Sequence, residues 1–358
     1  MKNPKERILY SLILLIFIFA LFAVIVSSTT EMQLSAKSAA LYEPKSGSFI
    51  YEKNANARMP MASTTKIMTA LVALENSPKD LSVTISKNAA GVEGSSLYLK
   101  VGEVVSMRDL IYGLMLRSAN DAAVAIAEAI SGSVENFSAL MNKKAKDLGL
   151  TDTHFENPHG LDSENHYTTA KELAIITAEA LKNESFKEIV STYKWTIDSS
   201  ENQRVVINHN KLLKLYDGAI GVKTGFTKRS GRCLVGAAER DGLTFITVTI
   251  DAPSDWNDHR MLFDLGYSTM EIRQLAIPYQ FTYSLPIIGS NYRQIKVSNQ
   301  EAFSIVTEKE NKNITSKVQL KRYTATPVSK GEVMGKVVFY DKNKFIGEIN
   351  LYAMESIS

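Results

Sequence analysis

The chain has 358 residues, 45% hydrophobic and 22% charged, with 41 basic against 38 acidic side chains and a net charge of +3. That length suggests two domains, the composition is globular rather than disordered, and the near-neutral balance excludes an electrostatic case for nucleic-acid binding. The single cysteine, Cys233, excludes an intrachain disulfide, and the five histidines show no metal-ligand spacing, so neither metal nor other cofactor is expected.

Lys2, Lys5 and Arg7 precede an uncharged run from Ile8 to Thr30, largely aliphatic as far as Val26. A positive flank before an apolar segment is the signature of export. The run exceeds the ~7–15 residues of a signal-peptide core and approaches the ~20 of a membrane span. Residues 1–36 therefore read as a signal peptide, with candidate cleavage near Ser35, Ala36 and Ala39, or as an uncleaved membrane anchor. Either reading places the remainder outside the cytoplasm.

Ala39 to Lys53 reads as a hairpin around Pro44-Lys45-Ser46-Gly47. A helix is predicted from about Ser63, its apolar positions Ile67, Leu71 and Leu74 at the spacing of one buried face. After a short extended segment at 102–105, Ser106 with Asp109 forms a cap for a helix through Leu116. Further helices are predicted over Asp121–Ile130, Val134–Leu148 and Ala170–Leu181, the last behind a Thr169/Glu172 capping box, making 106–190 mostly helical. From Trp195 the pattern turns to strands: Arg204–Ile207, Gly218–Lys223, Cys233–Glu239 and Leu243–Ile250. Arg260–Tyr267 closes this part as a helix. Beyond a boundary near 277–282, short alternating segments such as Ser316–Leu320 and Val333–Tyr340 read as a small β domain, giving divisions of 37–278 and 279–358.

Ser63-Thr64-Thr65-Lys66 sets a hydroxyl and an amine on one helical face. A serine hydroxyl needs a neighbouring base to become a nucleophile, and a desolvated lysine can serve. Spacing alone is weak, since ~one or two chance Ser-x-x-Lys matches are expected at this length, and Ser191 to Lys194 is one. Ser-x-Asn occurs at Ser86, Ser118, Ser163 and Ser200, and Lys-Ser/Thr-Gly at Lys45 and Lys223. Order and context select one set. Ser63 opens a predicted helix, Ser118-Ala119-Asn120 lies in a break between helices, and Lys223-Thr224-Gly225 ends a strand-like run before a Gly-bearing turn. Together they match the SxxK, SxN and KTG set of penicillin-binding proteins and serine β-lactamases.

The segment Pro60 to Ala70 resembles the nucleophile segment of the D-alanyl-D-alanine carboxypeptidases among the low-molecular-mass penicillin-binding proteins. Met115–Ala123, Asn157-Pro158-His159-Gly160-Leu161 and Gly221–Thr227 with Gly231 and Cys233 are similar to that family too. The likeness spans about 38–275 and extends to the C-terminal module. It implies an α/β (α+β) transpeptidase/β-lactamase-like domain, with an antiparallel sheet, flanking helices and a helical subdomain, plus a small all-β C-terminal domain. It further implies a Ser63 nucleophile, a Lys66 base, and Ser118 relaying a proton to the leaving D-alanine. Asn120 would hold the substrate amide, Lys223 would set the cleft's electrostatics, and Thr224 and Gly225 would contact substrate. Backbone N–H groups of Ser63 and Phe226 would form the oxyanion hole. The implied partners are peptidoglycan stem peptides and, as covalent inhibitors, β-lactams, with the membrane added if the N-terminal segment is uncleaved.

One departure stands out. Many members carry an arginine before the closing helix that helps hold the substrate's terminal carboxylate, whereas this chain reads Ser254-Asp255-Trp256-Asn257-Asp258-His259, with an acid at that place. Either Thr224 with another cation binds the carboxylate, or substrate preference differs. The cluster itself reads as a helix cap with a packed Trp. His159 reads as a loop-shaping residue and Cys233 as a small buried one. A β-lactamase of class A would need a Glu-x-x-Leu-Asn loop after Ser-x-Asn, which is missing; a transpeptidase or endopeptidase on the same fold remains the nearer rival. A non-catalytic wall-binding or β-lactam-sensing protein would be expected to lack the nucleophile or base.

Overall fold

The computed structural model describes residues 32–78 and 80–358; the apolar N-terminal run lies outside them. Ala39, Ala40 and Leu41 are all fully buried, so the first strand cannot be an edge. Indeed β1 (Ser38–Glu43) lies between β2 (Ser48–Lys53) and the late strand β9, and the predicted turn between β1 and β2 is closed by the Glu43 carboxylate accepting from the N–H groups of Lys45 and Ser46. A 3-10 turn over Ala62–Thr65 leads into α1 (Lys66–Asn76). The expected single buried face of α1 is exceeded: every residue from Lys66 to Ala73 is buried, because helices pack around it on all sides. Ser63 thus sits one turn before the α-helix proper.

Strand β3 (Ser82–Thr84), a short α2 (Lys87–Ala90) and β4 (Val104–Ser106) precede the helical layer of α3 (Met107–Leu116), α4 (Asn120–Ser131), α5 (Val134–Asp147), α6 (Ala170–Leu181) and α7 (Glu184–Ser191). Ser106 caps α3 as predicted, accepting from the Asp109 N–H at 3.0 Å. Thr169 likewise accepts from the Glu172 N–H at 3.0 Å, but Glu172 does not return the bond. Its carboxylate instead takes the N–H groups of Thr151 and Asp152 and the Thr153 hydroxyl, pinning the long loop 148–169. That loop interrupts the region expected to be mostly helical.

After β5 (Lys194–Asp198), β6 (Gln203–Ile207) and the short α8 (Leu212–Leu215) come the long strands β7 (Ala219–Thr227), β8 (Gly231–Arg240) and β9 (Leu243–Ile250). The antiparallel five-stranded sheet runs β2-β1-β9-β8-β7, leaving β7 at an edge. β7 continues four residues beyond its predicted end at Lys223, because pairing with β8 persists to Thr227↔Gly231. The closing helix α9 (Asp255–Thr269) starts five residues earlier than its sequence pattern suggests. It covers one sheet face, where buried His259 bridges Thr247 (2.6 Å) and Thr249 (2.9 Å) and so satisfies two hydroxyls on a strand whose other buried residues are apolar.

β10 (Met270–Ala276) leads to β11 (Thr282–Ile288), β12 (Gln294–Ser298), β13 (Phe303–Glu308), β14 (Ile314–Leu320), β15 (Thr324–Ala325), β16 (Val333–Asp341) and β17 (Lys344–Ala353). Six of these form a sheet in the order β14-β16-β17-β12-β11-β15, and β10 pairs antiparallel with β13. The fold is the α+β architecture expected, with an all-β C-terminal part.

Candidate active site

Three elements converge on Ser63. The 3-10 turn carries it, with Ala62 held at a φ of +48°. The helix break carries Ser118 at a φ of +63°, with Asn120 opening α4. Edge strand β7 brings Lys223 and Gly225, whose lack of a side chain matters: a Cβ there would lie 3.0 Å from the Ser63 amide nitrogen. Any side chain at 225 would hold the strand away from the nucleophile's backbone N–H. Ser63, Ser118, Thr224, Gly225 and Phe226 all line one cleft of about 880 Å³. Lys66 and Lys223 are buried beside it. The rival Ser191 is spent on its own helix end, its hydroxyl donating to the Glu188 carbonyl, and Lys45 lies in the β1–β2 turn.

Lys66 Nζ lies 2.9 Å from Ser63 Oγ, 2.8 Å from Asn120 Oδ1 and 2.5 Å from the His159 carbonyl. The Asn120 amide is oriented by its other end, since Nδ2 donates to the Glu93 carbonyl at 2.7 Å. Two of Lys66's three neighbours are thus acceptors only. A neutral amine has two N–H groups for them and one lone pair left, which points at the only neighbour able to donate, the Ser63 hydroxyl. Complete burial drives the Lys66 pKa well below its ordinary value of 10.5, the nearby Lys223 adds to the effect and Asp121 opposes it. Burial likewise lowers Lys223 to about 7; its Nζ donates to the Thr224 carbonyl. Ser118 Oγ makes no hydrogen bond among the described residues and is nearly buried at the cleft wall.

The 157–161 turn is the second support. Asn157 Oδ1 accepts from the His159 and Gly160 N–H groups, and its Nδ2 donates to the Leu161 carbonyl. Gly160, at a φ of +87°, packs against the Ala62 carbonyl. His159 Nδ1 accepts from the Leu161 N–H, and burial, with Lys66 nearby, lowers its pKa to about 3. The ring is therefore neutral, and it is its backbone carbonyl that serves Lys66.

Sequence reasoning missed several supporting residues. His166 Nδ1 accepts from the Glu156 N–H, so Nε2 carries the proton and donates to Thr65 Oγ1 at 2.7 Å, which passes a bond to the Ala62 carbonyl at 2.8 Å. Burial lowers the His166 pKa to about 4, keeping that tautomer neutral. Buried Asp121 accepts from the N–H groups of Leu97 and Leu99 and the Ser96 hydroxyl, shaping the rim next to Ser95. The tertiary partners lie far apart in sequence, 101 residues for His166 and Thr65 and 22 to 25 for Asp121, which kept these hidden. At the other end of the cleft, Asp255 proves to be no helix N-cap: as the first residue of α9 it receives the guanidinium of Arg232 from β8. Trp256 borders the same cleft.

The description D-alanyl-D-alanine carboxypeptidase belongs to a family model that matches residues 25–254, and the penicillin-binding protein 5 C-terminal domain matches 282–358. The D-alanyl-D-alanine carboxypeptidase DacF of Bacillus subtilis is 34% identical over 369 residues, covering 100% of this chain and 95% of the relative. DacC of Escherichia coli, of the same description, is 30% identical over 360 residues, covering 96% and 89%. The crystal structure of penicillin binding protein 5 from Haemophilus influenzae superposes with a TM-score of 0.70 at 30% identity, covering 92% of this chain and 99% of that one. The protein is thus a serine hydrolase of the penicillin-binding type. Within that class, the chain belongs to the D-alanyl-D-alanine carboxypeptidase family.

Proposed function

We propose that the protein removes the terminal D-alanine from peptidoglycan pentapeptide stems through an acyl-enzyme on Ser63. The observation that carries this reading is the three-way contact of Lys66 Nζ with Ser63 Oγ, Asn120 Oδ1 and the His159 carbonyl, which lets the amine, once neutral, accept the Ser63 proton. Ser63 Oγ gives its proton to Lys66 and bonds to the carbonyl carbon of the penultimate D-alanine. The charge that develops on the carbonyl oxygen is met by the backbone N–H groups of Ser63 and Phe226, brought close by Gly225. Collapse breaks the peptide bond, and the leaving amine takes the proton from Lys66 through Ser118 Oγ. Water then attacks the ester, Lys66 again acting as base, and releases the shortened peptide and free Ser63. Asn120 has one Nδ2 hydrogen left for the substrate amide, and Thr224 meets the substrate carboxylate. A β-lactam acylates Ser63 by the same first step, but its leaving amine stays tethered.

The same reading assigns residues 1–36 to export, as signal peptide or N-terminal membrane anchor, and the site to the outer side of the cell membrane. It divides the remainder into a penicillin-binding domain over 37–278 and a β domain over 279–358. The family assignment and the positive-flanked apolar run support both. The test is release of free D-alanine from a pentapeptide ending in D-Ala-D-Ala. Wild type is expected to release it, and Ser63→Ala to lose at least ~10³-fold. No release from wild type, or undiminished release from the variant, would sink the proposal.

A further inference from the structure

The reading above leaves a chemical gap: the substrate ends in a free carboxylate, and the cleft must hold a cation for it. Lys66 and Lys223 do not fit, being buried and bonded to Ser63, Asn120 and backbone carbonyls. Lys211 and Lys214 reach the cleft as exposed point charges, Lys214 lying 4.0 Å over the Tyr193 ring. Arg232 differs from all of them. The antiparallel register pairs it with Phe226, so pleating sets Thr224, Phe226 and Arg232 on one sheet face, with Arg232 diagonal to Thr224 at about 7–8 Å. Its guanidinium is clamped by Asp255, Nη2 lying 2.9 and 2.8 Å from the two carboxylate oxygens and Nε 3.1 Å from one.

We infer that Arg232, oriented by Asp255, is the group that binds the terminal carboxylate of the substrate, with Thr224 completing the clamp. This inference rests on the carboxypeptidase function proposed above. The geometry supplies what such a subsite needs. Asp255 is 3% exposed, a fixed buried anion, while Arg232 remains 44% exposed on the cleft. Asp255 uses the Nε and Nη2 edge and leaves Nη1 with no hydrogen bond among the described residues. Asp255 is itself held, since its Oδ1 accepts from the Trp256 N–H at the start of α9. A planar donor fork fixed along one edge presents its other edge in a set direction, which a flexible lysine cannot do. In this arrangement the strand, not the segment before the closing helix, supplies the cation. The acid at position 255 is then its positioning partner.

The experiment crosses residue with substrate group. Full-length protein in detergent is given a peptide ending in D-Ala-D-Ala and the same peptide with its terminal carboxylate converted to an amide. Wild type is expected to prefer the acid by ~10²-fold in kcat/KM, and Arg232→Ala to lose ~10²-fold on the acid while leaving the amide rate unchanged. Arg232→Lys should recover part of the preference, and Asp255→Asn should weaken it mainly through KM. Equal losses on both peptides, or a full preference retained by Arg232→Ala, would overturn the inference. If wild type releases no D-alanine from the acid peptide, it is the proposed function that fails, and the inference with it.

Discussion

Gly160→Ala offers a severe test of how the nucleophile is held, because it adds one carbon at a point with no room. The new Cβ would lie 1.9 Å from the Ala62 carbonyl oxygen, 2.5 Å from its carbon and 2.8 Å from Thr65 Oγ1. Real Cβ contacts essentially never fall below 3.0 Å, so the 157–161 turn and the Ser63 turn must part by about 1 Å. A left-handed φ adds ~1–2 kcal/mol of strain for a non-glycine residue, and overpacking adds ~1–3 kcal/mol. The expected destabilisation is therefore about 2–5 kcal/mol, a Tm loss on the order of 5 °C or more. Activity should suffer further, because the displaced turn carries both the His159 carbonyl that fixes Lys66 and the contact that fixes Ala62. A misplacement of ~1 Å at a reacting group costs about 10²-fold in rate. Thermal unfolding and second-order acylation by a β-lactam read the two effects separately. A variant with wild-type Tm and acylation rate would refute the claim that Gly160 sets the position of Ser63.

Three further outcomes are expected. Lys223 folds with a pKa of about 7 against 10.5 unfolded, so between those values the unfolded chain binds more protons and the Lys223 contribution to stability rises with pH; urea unfolding at several pH values should show wild type gaining on Lys223→Met from pH 7 to 9, and a constant difference would count against the shift. Asp121→Ala strips the acceptor from the Leu97 and Leu99 N–H groups, for a loss of ~2–4 kcal/mol and a raised KM, measurable by unfolding and by D-alanine release. Cys233 is 1% exposed and burial pushes its thiol up to about 11, so iodoacetamide should label it at pH 8 only after unfolding; rapid labelling of the native protein would contradict that burial.

The parts of the site that were legible in sequence are the local ones. Ser63 and Lys66 are three residues apart, as are Ser106 and its capping target, and such pairs are fixed by the helix itself. Most helices followed from periodicity, whereas the predicted fold class followed from the family resemblance carried by the motifs. What escaped were bonds that only tertiary closure creates: His166 to Thr65, Glu172 to the Thr151 and Asp152 N–H groups, and Arg232 to Asp255. The same cause explains the misplaced ends. Edge strand β7 outruns its sequence pattern because β8 keeps pairing with it past the Lys-Thr-Gly triplet. Helix α9 begins within the cluster that read as its cap, where Asp255 is paired with Arg232 of a strand distant in sequence.

The pairing of β10 with β13 bears on how this protein can be dissected. A chain cut at the composition change near 278 would keep Met270 to Ala276 but discard their hydrogen-bonding partner. Ala276, packed with Val337, Phe339 and Leu351, would lose its apolar cover at the same stroke. The resulting fragment would display a naked, adhesive strand margin, open to self-association. Truncations meant to isolate the catalytic part should end before Met270, or blunt the orphaned strand with a lysine.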